Sequence, residues 1–408
     1  MVKGAMLLRR VLLSLLCALA LFCAGCGEEY PYFSCDIRVE ECQDEIYTGV
    51  AEFMGADPDM RPPIRTIGLD QFERELRDVD EEYFAGDDAW TRSLKLMGFL
   101  EEEADSFVED LIQDRLTYSA AYYCGVESGP WICPVTPLIT VIDRGGSTQE
   151  ATWYLVHEVV HAIQEDQFGL SGIVDGTTED ELLILHSIVE GDASHFEEAW
   201  MHAVSGMPID GRARWDELHA NRRRWLLDAA GDSTFSFQTL VGSFPYAIGF
   251  EFMTGVILDA GLEGRAAVWG SPPSSSLAIM WGHEPPYALS NPEVAHPAPP
   301  PEYEFVFEDR MGAWYLFVFL RRLDVSEDIA WKQALAWAGD NFTVYRDGTS
   351  IAATWRIRFH SGSRDIAAAV ASSVNRPNSV TDAAAFADGS DVYIIATENG
   401  SLESWDVF

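Results

Sequence analysis

Two histidines four residues apart, His157 and His161, enclose Glu158 and a pair of valines and constrain the middle of this chain more than any other feature. On an α-helix, residues four apart differ by about 40° around the axis, so both imidazoles face the same way. The flanks agree with a helix. Ser147 and Glu150 have the spacing of a capping box, and Gly169 stands where a helix would stop, which predicts a helix over residues 147–168. Upstream, the run 143–146 breaks the chain, and residues 135–142 read as a strand that Pro137 places at a sheet edge. Downstream, Thr178 and Glu181 repeat the capping spacing. They predict a second helix to about Ala203, closed by Gly206 and Pro208.

Paired imidazoles on one helix face suit two metal ligands, and Glu158 beside them can take a proton from a metal-held water. The pattern would arise in roughly one of 60 random chains of this length and composition. A catalytic zinc takes a third protein ligand from another element. Glu190, in the middle of the next helix between Val189 and Gly191, is the first candidate, because a carboxylate in an apolar setting needs a partner. His186, Asp192 and His195 are the alternatives. Asp192 also reads as a hydrogen-bonding support for a ligand histidine. Without a metal, His186, His195 and His202 read as ordinary helix-surface histidines.

Hydrophobic residues make up 48% of the 408 and aromatics 12%, enough for a real core in one large or two ordinary domains. With 27 basic against 66 acidic residues the net charge is −39, which argues against a nucleic-acid partner. Residues 1–25 read as a signal peptide: Lys3, Arg9 and Arg10 precede an apolar run from Val11 to Ala24 that is too short to span a bilayer. The run ends at Cys26 in a segment that resembles a bacterial lipobox, with Cys23 in place of the usual Leu. The resemblance implies lipidation of Cys26 and a membrane anchor at the outer membrane or cell surface. Four cysteines remain, and in an exported chain an even number suggests two disulfides. Of three connectivities, the local one, Cys35–Cys42 and Cys124–Cys133, closes short loops and is preferred here. The apolar stretch from Tyr246 to Leu262 contains Glu251 and Asp259 and reads as a core helix.

The expected organisation is a tether and cysteine-bearing segment over 26–70, a main domain over 71–360, and a tail with short strands over 361–408. The class is α+β, mainly helical. Helical periodicity runs from Gln71 to about Tyr123, and further helices are expected over 309–322 and 327–337. The basic run Arg222 to Arg224 reads as a solvated helix face.

A histidine pair of this type followed by a glutamate in the next helix resembles the gluzincin arrangement of zinc metallopeptidases. The runs 157–164 and 189–193 look like those of bacterial exported or lipid-anchored metallopeptidases of little-characterised function, and weaker likeness extends over roughly 90–360. The resemblance implies a zincin-like domain with an edge strand before the histidine helix and a helical C-terminal part. It also implies one zinc held by His157, His161 and Glu190, with Glu158 as general base and a peptide or protein as substrate. Tyr246 and His283 are candidate transition-state donors. The chain departs from those relatives at Leu277, Ala278 and Trp281, where they carry polar residues, and its His283 is displaced by two positions. That departure leaves a second expectation, a metal-binding lipoprotein without turnover that serves as a binding or structural module.

Overall fold

The computed structural model describes residues 33–84, 88–100, 112, 116, 119, 121–124, 137–145, 149–170, 178–232, 235–282, 289, 299–375, 383–398 and 405. The signal peptide, Cys26, Cys133, Ser147 and His283 lie outside the described residues. The fold is α+β, with helices grouped around the His157–His161 pair and a sheet on each side of them in the sequence.

The first part of the chain builds a small sheet and its cover. Helix α1 (Glu40–Met54) is followed by strand β1 (Ile64–Gly68), helices α2 (Leu69–Phe84) and α3 (Asp88–Leu96), and strands β2 (Ala121–Cys124) and β3 (Leu138–Asp143). The sheet order is β1-β3-β2, parallel between β1 and β3 and antiparallel between β2 and β3. β3 is therefore the central strand and not the edge that Pro137 suggests. The proline precedes the first paired residue, Leu138, so its missing N–H costs no rung of the ladder. The edge beside the histidine helix is β2, which occupies residues where helical periodicity was expected to continue.

The segment expected as a tether is instead part of the core. Ile46, Tyr47, Val50, Ala51 and Met54 of α1 recur at helical spacing and pack on Val156, Val159 and Val160. Each such large side chain stabilises by about 1.5–3 kcal/mol when fully buried. The Cys35–Cys42 disulfide secures the approach to α1, and the Cys35 N–H donates to Thr152 Oγ1 at 3.4 Å. Cys124 is also disulfide-bonded, to a partner outside the described residues.

The centre is helical: α4 (Gln149–Phe168), α5 (Glu179–Val204), α6 (Arg212–Ala229), α7 (Phe237–Phe244), a π-helical turn (Pro245–Gly249), α8 (Phe250–Gly270) and α9 (Ser276–Trp281). The capping box of α5 forms as its sequence spacing predicts: Glu181 N–H donates to Thr178 Oγ1, and Thr178 N–H donates to the Glu181 carboxylate. Phe237–Gly270 is a helical run long and apolar enough to cross a bilayer, but 72% of its apolar window is buried inside the protein. The basic run on α6 is not a solvated face as a whole. Arg222 pairs with Glu198 and lies over the Phe250 ring at 4.4 Å, Arg223 lies over Trp331 at 4.6 Å, and only Arg224 is exposed.

The C-terminal part was expected to be mainly helical with short strands at 342–345, 352–359 and 392–396; all three strands form, and they belong to one sheet. After β4 (Glu304–Asp309) come α10 (Gly312–Arg322), α11 (Glu327–Ala334), β5 (Trp337–Asp347), β6 (Ser350–Phe359), α12 (Arg364–Val374), β7 (Ala384–Asp388) and β8 (Asp391–Thr397). The strands form one antiparallel sheet in the order β4-β5-β6-β8-β7. β8 pairs with β6 across the expected boundary at 360, so residues 383–398 belong to the same sheet as 337–359. The largest apolar cluster joins this sheet to α7, α9 and α10 through Phe244, Leu277, Trp314, Phe317, Trp337 and Trp355.

Candidate metal centre

Helix α4 is buried along most of its length, from Thr152 to Gln164, so the histidine pair sits in the interior and not on a surface. α5 crosses it and is buried through the middle as well. The approach of α5 to the π-helical turn is set by glycine. A Cβ built on Gly191 would lie 2.3 Å from Gly249 O, and one built on Gly249 would lie 2.6 Å from Ser187 O. Backbone touches backbone here, one residue from Glu190.

The crossing brings the three expected ligands together. Ligand atoms of His157, His161 and Glu190 all lie within 4.8 Å of one another. Glu190 Oε2 is 2.9 Å from His157 Nε2 and 3.3 Å from His161 Nε2. The two imidazoles meet edge to face, with centroids 4.6 Å apart. Both Nε2 atoms thus converge on one carboxylate oxygen. The other oxygen, Glu190 Oε1, is buried and has no hydrogen-bond partner among the described residues. A buried carboxylate oxygen without a partner is costly, and a cation would satisfy it. Two nitrogens and a carboxylate are a donor set that suits zinc. The residues present therefore fit the metal.

The outer nitrogens of both rings are held. His157 Nδ1 lies 2.6 Å from Glu197 Oε2, and His161 Nδ1 lies 2.8 Å from Gln164 Oε1. Asp192, expected to bond His157 or His161 directly, bonds neither. It accepts from Gln164 Nε2 at 2.9 Å and so acts at one remove. Sequence reasoning passed over Glu197 and Gln164, yet the spacings carried a signal. Glu197 follows Glu190 by seven residues, nearly two full turns and about 20° off the same line. Gln164 follows His161 by three.

The electrostatics of these side chains reflect this crowding. Burial disfavours the charged form of His157, but Glu190 and Glu197 outweigh it and push the group up to about 10. Burial likewise opposes a charged His161, and Glu190 raises it. Glu190 moves the other way: the imidazoles overcome burial and hold its carboxyl well below the usual range. Glu158, 5% exposed, is raised, chiefly by burial. The backbone of Tyr123 on β2 works against that rise, which places the base beside the sheet edge.

Of the remaining candidates, Tyr246 stays beside the group and the histidines of α5 fall elsewhere. The ring of Tyr246, on the π-helical turn, lies 5.8 Å from that of His157 and is 2% exposed. His186, His195 and His202 are buried and not helix-surface residues. Burial lowers His186 to about 4, and it is outside the ligand group. His195 bonds Thr254 Oγ1 at 3.1 Å and stacks on Trp215, while His202 sits 3.5 Å from Glu198. Leu277 and Ala278, the departures from the resembled relatives, are core residues of α9 with 0% and 1% exposure, and Trp281 packs against the same core. Compared with known proteins, the chain matches no family model, no curated protein and no solved structure.

Proposed function

We propose that this chain is a zinc-dependent peptidase of the cell envelope, anchored by lipid at Cys26, with His157, His161 and Glu190 as metal ligands. One observation carries the reading: Glu158 shares a helix with two ligands, stays outside the ligand group, and is buried with its proton affinity raised. A purely structural metal site has no use for such a base. When bound, the metal would act as a Lewis acid on the scissile carbonyl and make a nearby water more acidic. Glu158 would take the proton from that water and deliver it to the leaving amine. Burial suits it to both tasks, because a carboxyl raised above its usual range holds a proton more readily and can still release it.

The neighbouring edge strand suits an extended peptide. Among the described residues β2 pairs with β3 alone, and Tyr123 on it lies beside Glu158, so a peptide added along β2 would pass the base. This role moves from residues 135–142, whose strand has partners on both sides. The Cys35–Cys42 disulfide supports an oxidising compartment. The test is a peptide-library digestion with added zinc, comparing wild type with Glu158→Gln. Cleavage that falls by at least about 100-fold in the variant, with zinc still bound, supports the proposal. Cleavage equal in both proteins, or zinc binding with no cleavage of any peptide, favours a metal-binding module without turnover.

A further inference from the structure

The two ligand histidines are supported by different chemistry. His157 has a carboxylate, Glu197, on its outer nitrogen, whereas His161 has the neutral amide of Gln164. The amide oxygen can only accept, so the proton of His161 sits on Nδ1 and Nε2 is left to face Glu190. Gln164 cannot turn over, because its Nε2 donates to two acceptors, Val189 O and Asp192 Oδ2, each at 2.9 Å. Asp192 is fixed in turn by Arg265, whose Nε and Nη2 reach its two oxygens at 2.8 Å each. Arg265 Nη1 donates to Gln167 Oε1 at 2.6 Å, and its guanidinium lies over Phe168 and Phe196 at 4.7 and 4.9 Å. Gln164 and Asp192 are fully buried and Arg265 is 3% exposed.

Arg265 comes from outside the α4–α5 pair. It lies on α8 beyond Gly261, whose φ of 63° and ψ of −158° are open to glycine almost alone. That break turns the last two turns of α8 back onto α4, where Trp269 stacks on Phe168 at 4.7 Å. An ion pair this deeply buried costs desolvation, so stability alone is a poor reason for it. Its placement suggests a different reason. Asp192 orders the amide, and Arg265 cancels the charge that Asp192 would otherwise add to a centre already containing Glu158, Glu190 and Glu197.

We infer that Arg265, acting through Asp192 and Gln164, is a positioning residue that holds the His161 imidazole with its proton on Nδ1 and its Nε2 presented to the metal. The inference deepens the metal-centre reading and rests on it, but its proton can be observed without a metal. The experiment uses the full chain with ¹⁵N-labelled histidine, metal-free and then titrated with zinc against a chromophoric chelator. Wild type should show a slowly exchanging proton on His161 Nδ1. Gln164→Met should lose that proton and bind zinc about 10–100-fold more weakly. Arg265→Met should weaken zinc binding similarly. The double change Asp192→Asn with Arg265→Met removes both charges but keeps an acceptor for Gln164, and should return to within about threefold of wild type. Unchanged zinc affinity in Gln164→Met, or a double variant no better than Arg265→Met, would overturn the inference. If Arg265→Met does not fold, Gln164→Met and the neutral double variant carry the test. If wild type binds no zinc, the metal reading fails. The positioning inference is then judged by the Nδ1 proton alone: its loss in Gln164→Met supports it and its persistence overturns it.

Discussion

Gly191→Ala is the smallest change that should disturb the proposed metal centre without altering His157, His161 or Glu190. A Cβ there would meet Gly249 O at 2.3 Å, Gly249 C at 2.4 Å and Phe250 N at 2.9 Å, all backbone atoms. Ordinary contact begins at 3.4 Å, so α5 and the π-helical turn must part by about 1 Å. Overpacking a core costs about 1–3 kcal/mol when side chains can adjust, and here none can, so a loss of about 3 kcal/mol is expected. The displacement falls beside Glu190, whose Oε2 sits 2.9 and 3.3 Å from the two imidazoles. Zinc affinity should therefore drop by at least about tenfold. Gly255→Ala is the control: it also lies in a helix, but nothing comes within 4 Å of its new Cβ. It should stabilise by roughly 0.5–1 kcal/mol through helix propensity. Urea denaturation and chelator competition on the three proteins give both quantities. A Gly191→Ala protein as stable as wild type, with unchanged zinc affinity, would refute the close-approach argument.

Two further outcomes follow from particular contacts. Glu197→Gln removes the carboxylate from His157 Nδ1, 2.6 Å away, and should weaken zinc binding by about 10–100-fold while the fold persists, as chelator competition and circular dichroism would report. Asp340 should make stability depend on pH. Burial raises it from 3.8 to about 6, although the Met311 and Gly312 N–H groups and Trp337 Nε1 all donate to it at 2.8 Å. The folded chain thus holds this proton to higher pH than the unfolded chain does. The Asp340 contribution is intact below about pH 4 and is lost as pH rises through about 6, a change of about 3 kcal/mol. Urea midpoints at pH 4.5 and 7.5 for wild type and Asp340→Asn should show the variant gaining relative to wild type at the higher pH. Parallel pH dependence in the two proteins would contradict this.

Legibility in the sequence followed the range of the interaction. His157, His161, the α5 capping box and the stop of α4 at Gly169 are set within a few residues, and each was readable from spacing. Glu190 was readable because a lone carboxylate among apolar neighbours on a buried helix needs a partner. The strand β2 was not, because Ala121 to Cys124 is an apolar run that suits a helix equally well, and only pairing with β3 decides between them. Pro137 misled for a related reason: its effect depends on whether its nitrogen, which carries no hydrogen, falls within the ladder, which the sequence does not state. Arg222 and Arg223 find their partners on α5, α8 and α11, far along the chain, so a local reading saw only charge. The same holds for β8, which reaches across α12 to pair with β6.

The most direct test of the account is the metal content of the protein, measured by elemental analysis beside His157→Ala, Glu190→Ala and Glu158→Gln. The account predicts about one zinc per chain in wild type and in Glu158→Gln, and none in the two ligand variants. Wild type with no bound zinc, and none taken up on addition, would contradict it.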